Sequence, residues 1–254
     1  MSTADNWATR VGTDVPAVLL VGGMATRLQS VLPSTAKPLA LVGDTPFLDL
    51  LVIQLRAQGI RRLVMCTGHL ADQIEQRFGN GCKWNLTIQY SKELRPLGTA
   101  GAVKLAKHCL ESDSDFVVMN GDSFLEMDFH RLIRFHQEHG GLVSMTIRSV
   151  PNAARYGTVR MNKSNRITAF DEKRGLEEPG LISSGVYVFK RALLEHIPDG
   201  PASLETDVFP QLLKEGMFAL EQNGIFIDIG TPEDYARAQT LCLDLQQAAN
   251  AGSR

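Results

Sequence analysis

Cysteine is scarce and scattered, four in 254 residues at Cys66, Cys82, Cys109 and Cys242, with no CxxC pair. That excludes a zinc ribbon or a disulfide framework as the organising device and predicts free, mostly buried thiols. An excess of one charge is also missing. Lys and Arg total 26 against 28 Asp and Glu, a net charge of -2, so the basic surplus of a nucleic-acid binder is absent and no nucleic-acid partner is expected. Any anion held here must be met by local groups. The apolar stretch around Val18 to Val21 is far too short to cross a bilayer, and no membrane partner is expected. The opening residues, MSTADNWATRVGTDV, lack a basic segment followed by an apolar one, which predicts a cytoplasmic protein. Repeats, low-complexity tracts and an interdomain linker are absent too, which predicts a single domain over 15–245 with flexible ends at 1–14 and 246–254.

What is present is the material of a folded core, with 44% hydrophobic, 21% charged and 7% aromatic residues. From Pro16 short β-branched or apolar runs alternate with longer amphipathic ones, the pattern of βαβ units on a parallel sheet. AVLLVGG, RLVMCTG, LTIQYS and DFVVMNGD read as strands. Thr45-Pro46 is expected to open a helix as N-cap and first-turn proline, and Asp128 to cap another whose inward stripe includes His136. After Gly140-Gly141 the pattern changes to strands joined by short turns, an α+β half predicted to share the sheet of the first. PEDYARAQTLCLDLQQA reads as a closing helix.

Gly22-Gly23 directly follows the first strand, with Arg27 and Lys37 ten residues apart beyond it. Glycine after a buried strand lets backbone amides approach a ligand, and on an open α/β sheet ligands bind beyond the carboxyl ends of the strands. GxxxxGK[ST] and GxGxxG are both absent at this turn, so a P-loop or dinucleotide fingerprint is excluded. Two readings stand: a phosphate cradle with two cationic arms, or a tight turn with two solvated cations. Asp122 ends a β-branched run in NGDSF, and Asp228 follows the run in GIFIDIG. Two strand-end carboxylates on one rim suit Mg²⁺, which takes few protein carboxylates and completes its shell with phosphate and water. Taken alone, Asp122 reads better as a turn residue and Asp228 as a residue on the approach to a helix.

VGGMATRL, KPL, PLGTAG, NGDSF, DEK, SSGVYVF and FIDIGTPEDY stand in the order and spacing of the sugar-1-phosphate nucleotidyltransferase family, which the chain resembles from about Pro16 to Ala238. PLGTAG looks like the base-binding segment of its mannose-1-phosphate guanylyltransferases. NGDSF and the short chain are similar to the D-glycero-α-D-manno-heptose 1-phosphate guanylyltransferases. The resemblance implies a Rossmann-like α/β fold, a mixed and mostly parallel sheet flanked by helices, with a nucleotide-binding half over 15–140 and a smaller α+β sugar-binding half over 141–245. It implies Arg27 and Lys37 as the catalytic cations on the reacting phosphates, and Gly22, Gly23, Glu93, Gly98 and Thr99 around the nucleotide. Tyr156, Gly157, Glu172, Lys173 and Ser183 would hold the sugar phosphate, and Asp122 and Asp228 the Mg²⁺. Glu205 is a weaker sugar-pocket candidate. The implied substrates are a nucleoside triphosphate and a sugar 1-phosphate, with GTP favoured because a carboxylate at Glu93 can accept from the paired N1–H and N2–H₂ of guanine. Glu93 reads as readily as a solvated surface charge. A homo-oligomer is compatible with all of this.

The chain departs from the family pattern at four places. Ala25 stands where a second loop glycine is usual, Ala36 where proline often precedes the lysine, Ser183 for a frequent asparagine and Arg174 for a frequent proline. The product the resemblance points to is GDP-heptose; a mannose- or glucose-1-phosphate nucleotidyltransferase using GTP, dTTP or UTP is the alternative within the family, and a nucleotide-sugar sensor without turnover the alternative of another class, against which the presence of Lys37, Asp122 and Asp228 weighs.

Overall fold

Alternate residues of Ala17–Leu20 turn to opposite sides: Ala17 and Leu19 join one buried apolar cluster and Val18 the other. A strand buried on both faces is the centre of a layered sheet rather than its edge. The computed structural model describes residues 15–24, 26–28, 34–154, 156–171 and 177–251. In chain order its elements begin with β1 (Ala17–Leu20), β2 (Leu41–Val42), β3 (Thr45–Pro46), α1 (Phe47–Ala57), β4 (Arg62–Thr67), α2 (Ala71–Phe78), β5 (Thr87–Lys92) and α3 (Gly98–Leu105). Then come β6 (Asp115–Asn120), β7 (Ser123–Leu125), α4 (Phe129–His139), β8 (Val143–Val150), β9 (Thr158–Met161), β10 (Ile167–Asp171) and β11 (Gly180–Lys190). The chain closes with α5 (Phe209–Leu212), β12 (Met217–Glu221), β13 (Phe226–Asp228), α6 (Pro232–Thr240) and α7 (Cys242–Asn250).

Among the described residues one sheet of nine strands carries both halves. β6, β1, β4 and β5 run parallel, and β11 joins β6 antiparallel. β8 pairs antiparallel with β11, and β12 lies parallel to β8. Residues of α1, α2, α4 and α7 pack in the cluster on one face, and those of α3 and α5 in the cluster on the other. This is the expected mixed, mostly parallel sheet flanked by helices. Because β4 and β6 flank β1 on either side, the loop after β1 opens into the crevice at the carboxyl ends of the strands. No helix among the described residues is long and apolar enough to cross a membrane.

Three expectations need correction. Thr45-Pro46 does not open α1 but pairs with Leu41–Val42 as a hairpin about Gly43-Asp44, a turn sequence that favours hairpins. The Thr45 hydroxyl accepts from Gln246 Nε2 at 2.9 Å instead of capping the helix. The closing helix breaks at Leu241, and its second part runs to Asn250 with Leu245, Ala248 and Ala249 buried. Of the thiols, Cys66 and Cys109 are buried, but Cys82 is exposed and Cys242 half-buried.

Asp128 caps α4 as expected, its carboxylate accepting from Arg131 N at 3.0 Å. His136, one turn from the end of that helix, is fully buried, with Nδ1 3.0 Å from Ser144 Oγ and Nε2 3.8 Å from Asp115 Oδ1. Burial, reinforced by the Lys190 ammonium, pushes its pKa from 6.5 down to about 4. The unfolded chain therefore takes up the proton first, and the stability gained by keeping His136 neutral is present above pH 6.5 and lost as pH falls towards 4. A shift of that size corresponds to roughly 3 kcal/mol. His136→Asn, which keeps a polar partner for Ser144, is expected to show a shallower fall in urea midpoint between pH 7 and 4.5 than the parent. Parallel curves would contradict a neutral buried imidazole.

Candidate active site

The rim above β1 is built from backbone first. Val21 N donates to Cys66 O at 3.0 Å and Gly121 N to Leu20 O at 2.9 Å, so the ends of β1, β4 and β6 stay in step past the last strand residue. A Cβ on Gly22 would lie 3.0 Å from Gly68 N and 3.3 Å from Glu93 Oε1, so a side chain there would crowd the crevice. Gly23 is exposed with open space about it. Arg27 is exposed in the turn Thr26–Leu28, held down by buried Leu28. Ala25, Glu172, Lys173 and Arg174 lie outside the described residues.

Lys37 begins the turn Lys37–Leu39, and its side chain is only 13% exposed. Its Nζ donates to Asp122 Oδ2 at 2.5 Å across the crevice. Asp122 follows β6 directly. Asp228 ends β13, which pairs antiparallel with β7 so that Asp228 stands opposite Ser123. Ile229 N donates to Asp122 O at 2.9 Å and Gly230 N to Asp228 Oδ1 at 2.6 Å. Burial first, and then the Asp122 charge, push the Asp228 carboxyl up from 3.8 to about 6, while Lys37 and the Gly230 amide pull against them. Two mutually repelling carboxylates with a single ammonium between them form a place that wants more positive charge. No cluster of three or more His, Cys, Asp or Glu suited to a metal occurs among the described residues. Carboxylate oxygens are the donors a hard divalent ion such as Mg²⁺ takes, and such an ion would need water and phosphate to complete its shell here.

Glu93 is not a solvated surface charge. Its Oε2 accepts from Leu97 N at 3.0 Å, its Oε1 faces Gly22 and Gly68, and burial raises its pKa against the pull of the Leu97 amide. Gly98 opens α3 with φ +71, a left-handed conformation, and a Cβ there would meet Ala202 O at 2.5 Å. The Thr99 hydroxyl faces the second half of the chain: it accepts from Leu204 N at 2.8 Å and donates to Glu205 Oε2 at 3.1 Å.

A cavity of about 520 Å³ opens beside Asp228, lined by Tyr156, Gly157 and Ser183 together with Asn120, Tyr187 and Glu205. Its wall is stiffened by the stacked pair Phe170–Phe209 and by Ser183 Oγ, 3.1 Å from Tyr187 Oη. Burial, followed by the neighbouring Glu205 carboxylate, raises the Tyr187 phenol, which therefore stays neutral as a hydrogen-bonding group. A larger cavity, about 810 Å³ beside α7, is lined by Leu243, Gln247 and Asn250 and shares none of these residues. The structure thus brings Gly22, Lys37, Asp122 and Asp228 to one rim, with Glu93 at one end and the smaller cavity at the other. Asn120 and Tyr187 were not singled out in the sequence, although both lie inside strand-end blocks that were.

The nucleotidyl transferase family model matches residues 16–244. The chain belongs to the nucleotidyl transferase family. It is 34% identical over 234 residues to the mannose-1-phosphate guanylyltransferase catalytic subunit beta of Xenopus tropicalis, covering 91% of this chain and 64% of that protein. The chain therefore spans somewhat less than two thirds of the length of such relatives. It is 34% identical over 225 residues to the D-glycero-alpha-D-manno-heptose 1-phosphate guanylyltransferase of Aneurinibacillus thermoaerophilus, covering 88% of this chain and 96% of that one. Among solved structures, HddC from Yersinia pseudotuberculosis complexed with GMP-PN superposes with a TM-score of 0.78 at 31% identity, over 89% of this chain and 98% of that one.

In metal-free protein the Asp228 carboxyl is expected to titrate near pH 6 by carbon-detected NMR. Lys37→Met should raise that midpoint and Asp122→Asn should lower it. A midpoint in the ordinary carboxylate range, or shifts of the opposite sign, would contradict the charge arrangement.

Proposed function

We propose that this member of the nucleotidyl transferase family is a sugar-1-phosphate guanylyltransferase. An oxygen of the sugar 1-phosphate attacks the α-phosphorus of GTP in line, the bond to the bridging oxygen breaks, and pyrophosphate leaves with the electron pair. The observation that carries this reading is the single rim on which Lys37, Asp122 and Asp228 lie between the glycine loop and the 520 Å³ cavity.

The protein has little covalent chemistry to perform in such a transfer, so positioning and charge neutralisation dominate. Gly22 and Gly23 let the backbone approach the triphosphate, and Arg27 and Lys37 bring cations to its oxygens. Lys37 is released from Asp122 as the phosphates arrive. Asp122 and Asp228 would hold a Mg²⁺, which when bound would neutralise further phosphate charge. Glu93, already desolvated, offers its carboxylate to guanine N1–H and N2–H₂, and Gly98 offers backbone. Thr99 contributes its backbone only, since its hydroxyl is engaged by Leu204 and Glu205. Tyr156, Gly157 and Ser183 line the sugar cavity, and Glu172 and Lys173 join them by family resemblance.

Within this class the substrate we favour is D-glycero-α-D-manno-heptose 1-phosphate, giving GDP-heptose. Its support is the NGDSF block, similar to that of the heptose 1-phosphate guanylyltransferases, and the 34% identity over 225 residues to the relative so named. Pyrophosphate release measured with Mg²⁺ across GTP, dTTP and UTP against heptose, mannose and glucose 1-phosphates is expected to peak at GTP with the heptose substrate. A peak at another sugar replaces the substrate, and silence from folded protein that still binds nucleotide turns the reading to a sensor. Lys37→Ala is expected to lower turnover by on the order of a hundredfold while the far-UV circular dichroism spectrum shows the fold intact. Retained turnover would remove Lys37 from the reacting centre.

A further inference from the structure

Lys37 is carried on a chain segment without regular structure of its own. Ser34, Thr35 and Ala36 precede the short turn Lys37–Leu39, yet the Lys37 ammonium is held at a single point on Asp122. One side chain spans that segment. Gln73 of α2 accepts from Ala36 N through Oε1 at 2.9 Å and donates from Nε2 to Ser34 O at 2.8 Å. Both ends of one amide are thus spent on backbone groups two residues apart, immediately before the lysine.

The helix that carries Gln73 is itself fixed. Arg77, one turn further along the same face, makes a two-pronged pair with the buried carboxylate of Asp49 on α1, with Nε to Oδ1 at 2.6 Å. On the other side of the lysine, Phe47 N at the start of α1 donates to Ala40 O at 2.9 Å. The lysine turn is therefore clamped at both ends to the α1 and α2 pair. Ala36 itself sits at φ −57 and ψ 129, the φ that a proline ring would impose, but its N–H is in use.

We infer that Gln73 is a positioning residue for Lys37: its side-chain amide supplies the backbone constraint that delivers the ammonium to the phosphate rim. The inference rests on the proposed role of Lys37 and adds a residue that touches no substrate. Removal of the clip leaves α2 intact, because alanine is a better helix former than glutamine. What it releases is the segment 34–36.

The test is Gln73→Ala, assayed for kcat and for KM of each substrate, with a second variant that adds Ala36→Pro. Turnover is expected to fall on the order of tenfold, as small displacements of a catalytic group do, with both KM values within about twofold because no binding group has been removed. The proline should then restore most of the turnover, since its ring fixes φ at residue 36 and the truncated side chain at 73 leaves it room. Hydrogen–deuterium exchange over residues 34–40 supplies a readout independent of turnover, and faster exchange in Gln73→Ala is expected. Unchanged kcat, unchanged protection, or a stably folded double variant no faster than Gln73→Ala would overturn the inference. Should the double variant fail to fold, exchange in Gln73→Ala decides. A parent protein without turnover would count against the transferase reading instead, and the exchange arm would still show whether the clip holds the segment.

Discussion

The pairing of β13 with β7, which sets Asp228 opposite Ser123, brings a carboxylate from near the end of the chain beside Asp122 at the end of a central strand. Everything at the rim follows from that register. Shifted by one residue, the strand would turn Asp228 to the other face and Ile227 towards the crevice, because side chains alternate with period two. With the register as it is, two carboxylates share one small volume. Burial and mutual repulsion lift Asp228, and Lys37 is drawn across the crevice to meet the charge. The rim thus gathers Asp122 and Asp228 around the Lys37 ammonium.

The two halves of the chain meet at this rim in a second way. Ala202 O accepts from Ala100 N at 2.9 Å and Ala202 N donates to Leu97 O at 2.8 Å, so the segment before α5 is laced to the start of α3. Gly98 permits the contact because a side chain there would strike the Ala202 carbonyl. Through Thr99 and Glu205 the same lacing reaches the wall of the cavity at Tyr187 and Ser183. The Glu93 end and the cavity end of the crevice are thus joined by one set of hydrogen bonds rather than by a flexible linker. The continuous sheet across β6 and β11 makes the same connection from below.

How much of this was legible in the sequence depends on how far apart the interacting residues lie. Strand ends were readable because β-branched runs stop at Gly22, Asp122 and Asp228, and the cap at Asp128 was readable because its partner Arg131 is three residues away. Thr45 carried a helix-start signal that a hairpin uses equally well, and the residue that claims its hydroxyl, Gln246, lies at the far end of the chain. The partners of the Thr99 hydroxyl were hidden for the same reason: Glu205 cannot be placed beside it by local periodicity. Glu93 was ambiguous until the Leu97 amide and Gly22 were seen around it. The grip of Gln73 on Ala36 joins a side chain to backbone across the sheet's connections, and backbone partners leave no mark in composition or spacing.

On the proposed function, the Lys37, Asp122 and Asp228 rim receives a divalent ion together with the triphosphate. Paramagnetic relaxation with Mn²⁺ in place of Mg²⁺, recorded with a non-hydrolysable GTP analogue bound, tests it directly. The amide signals of Asp122, Ser123, Asp228 and Gly230 are expected to broaden most strongly, and Asp122→Asn to weaken the effect. Broadening centred elsewhere in the sheet, with these amides untouched, would contradict it.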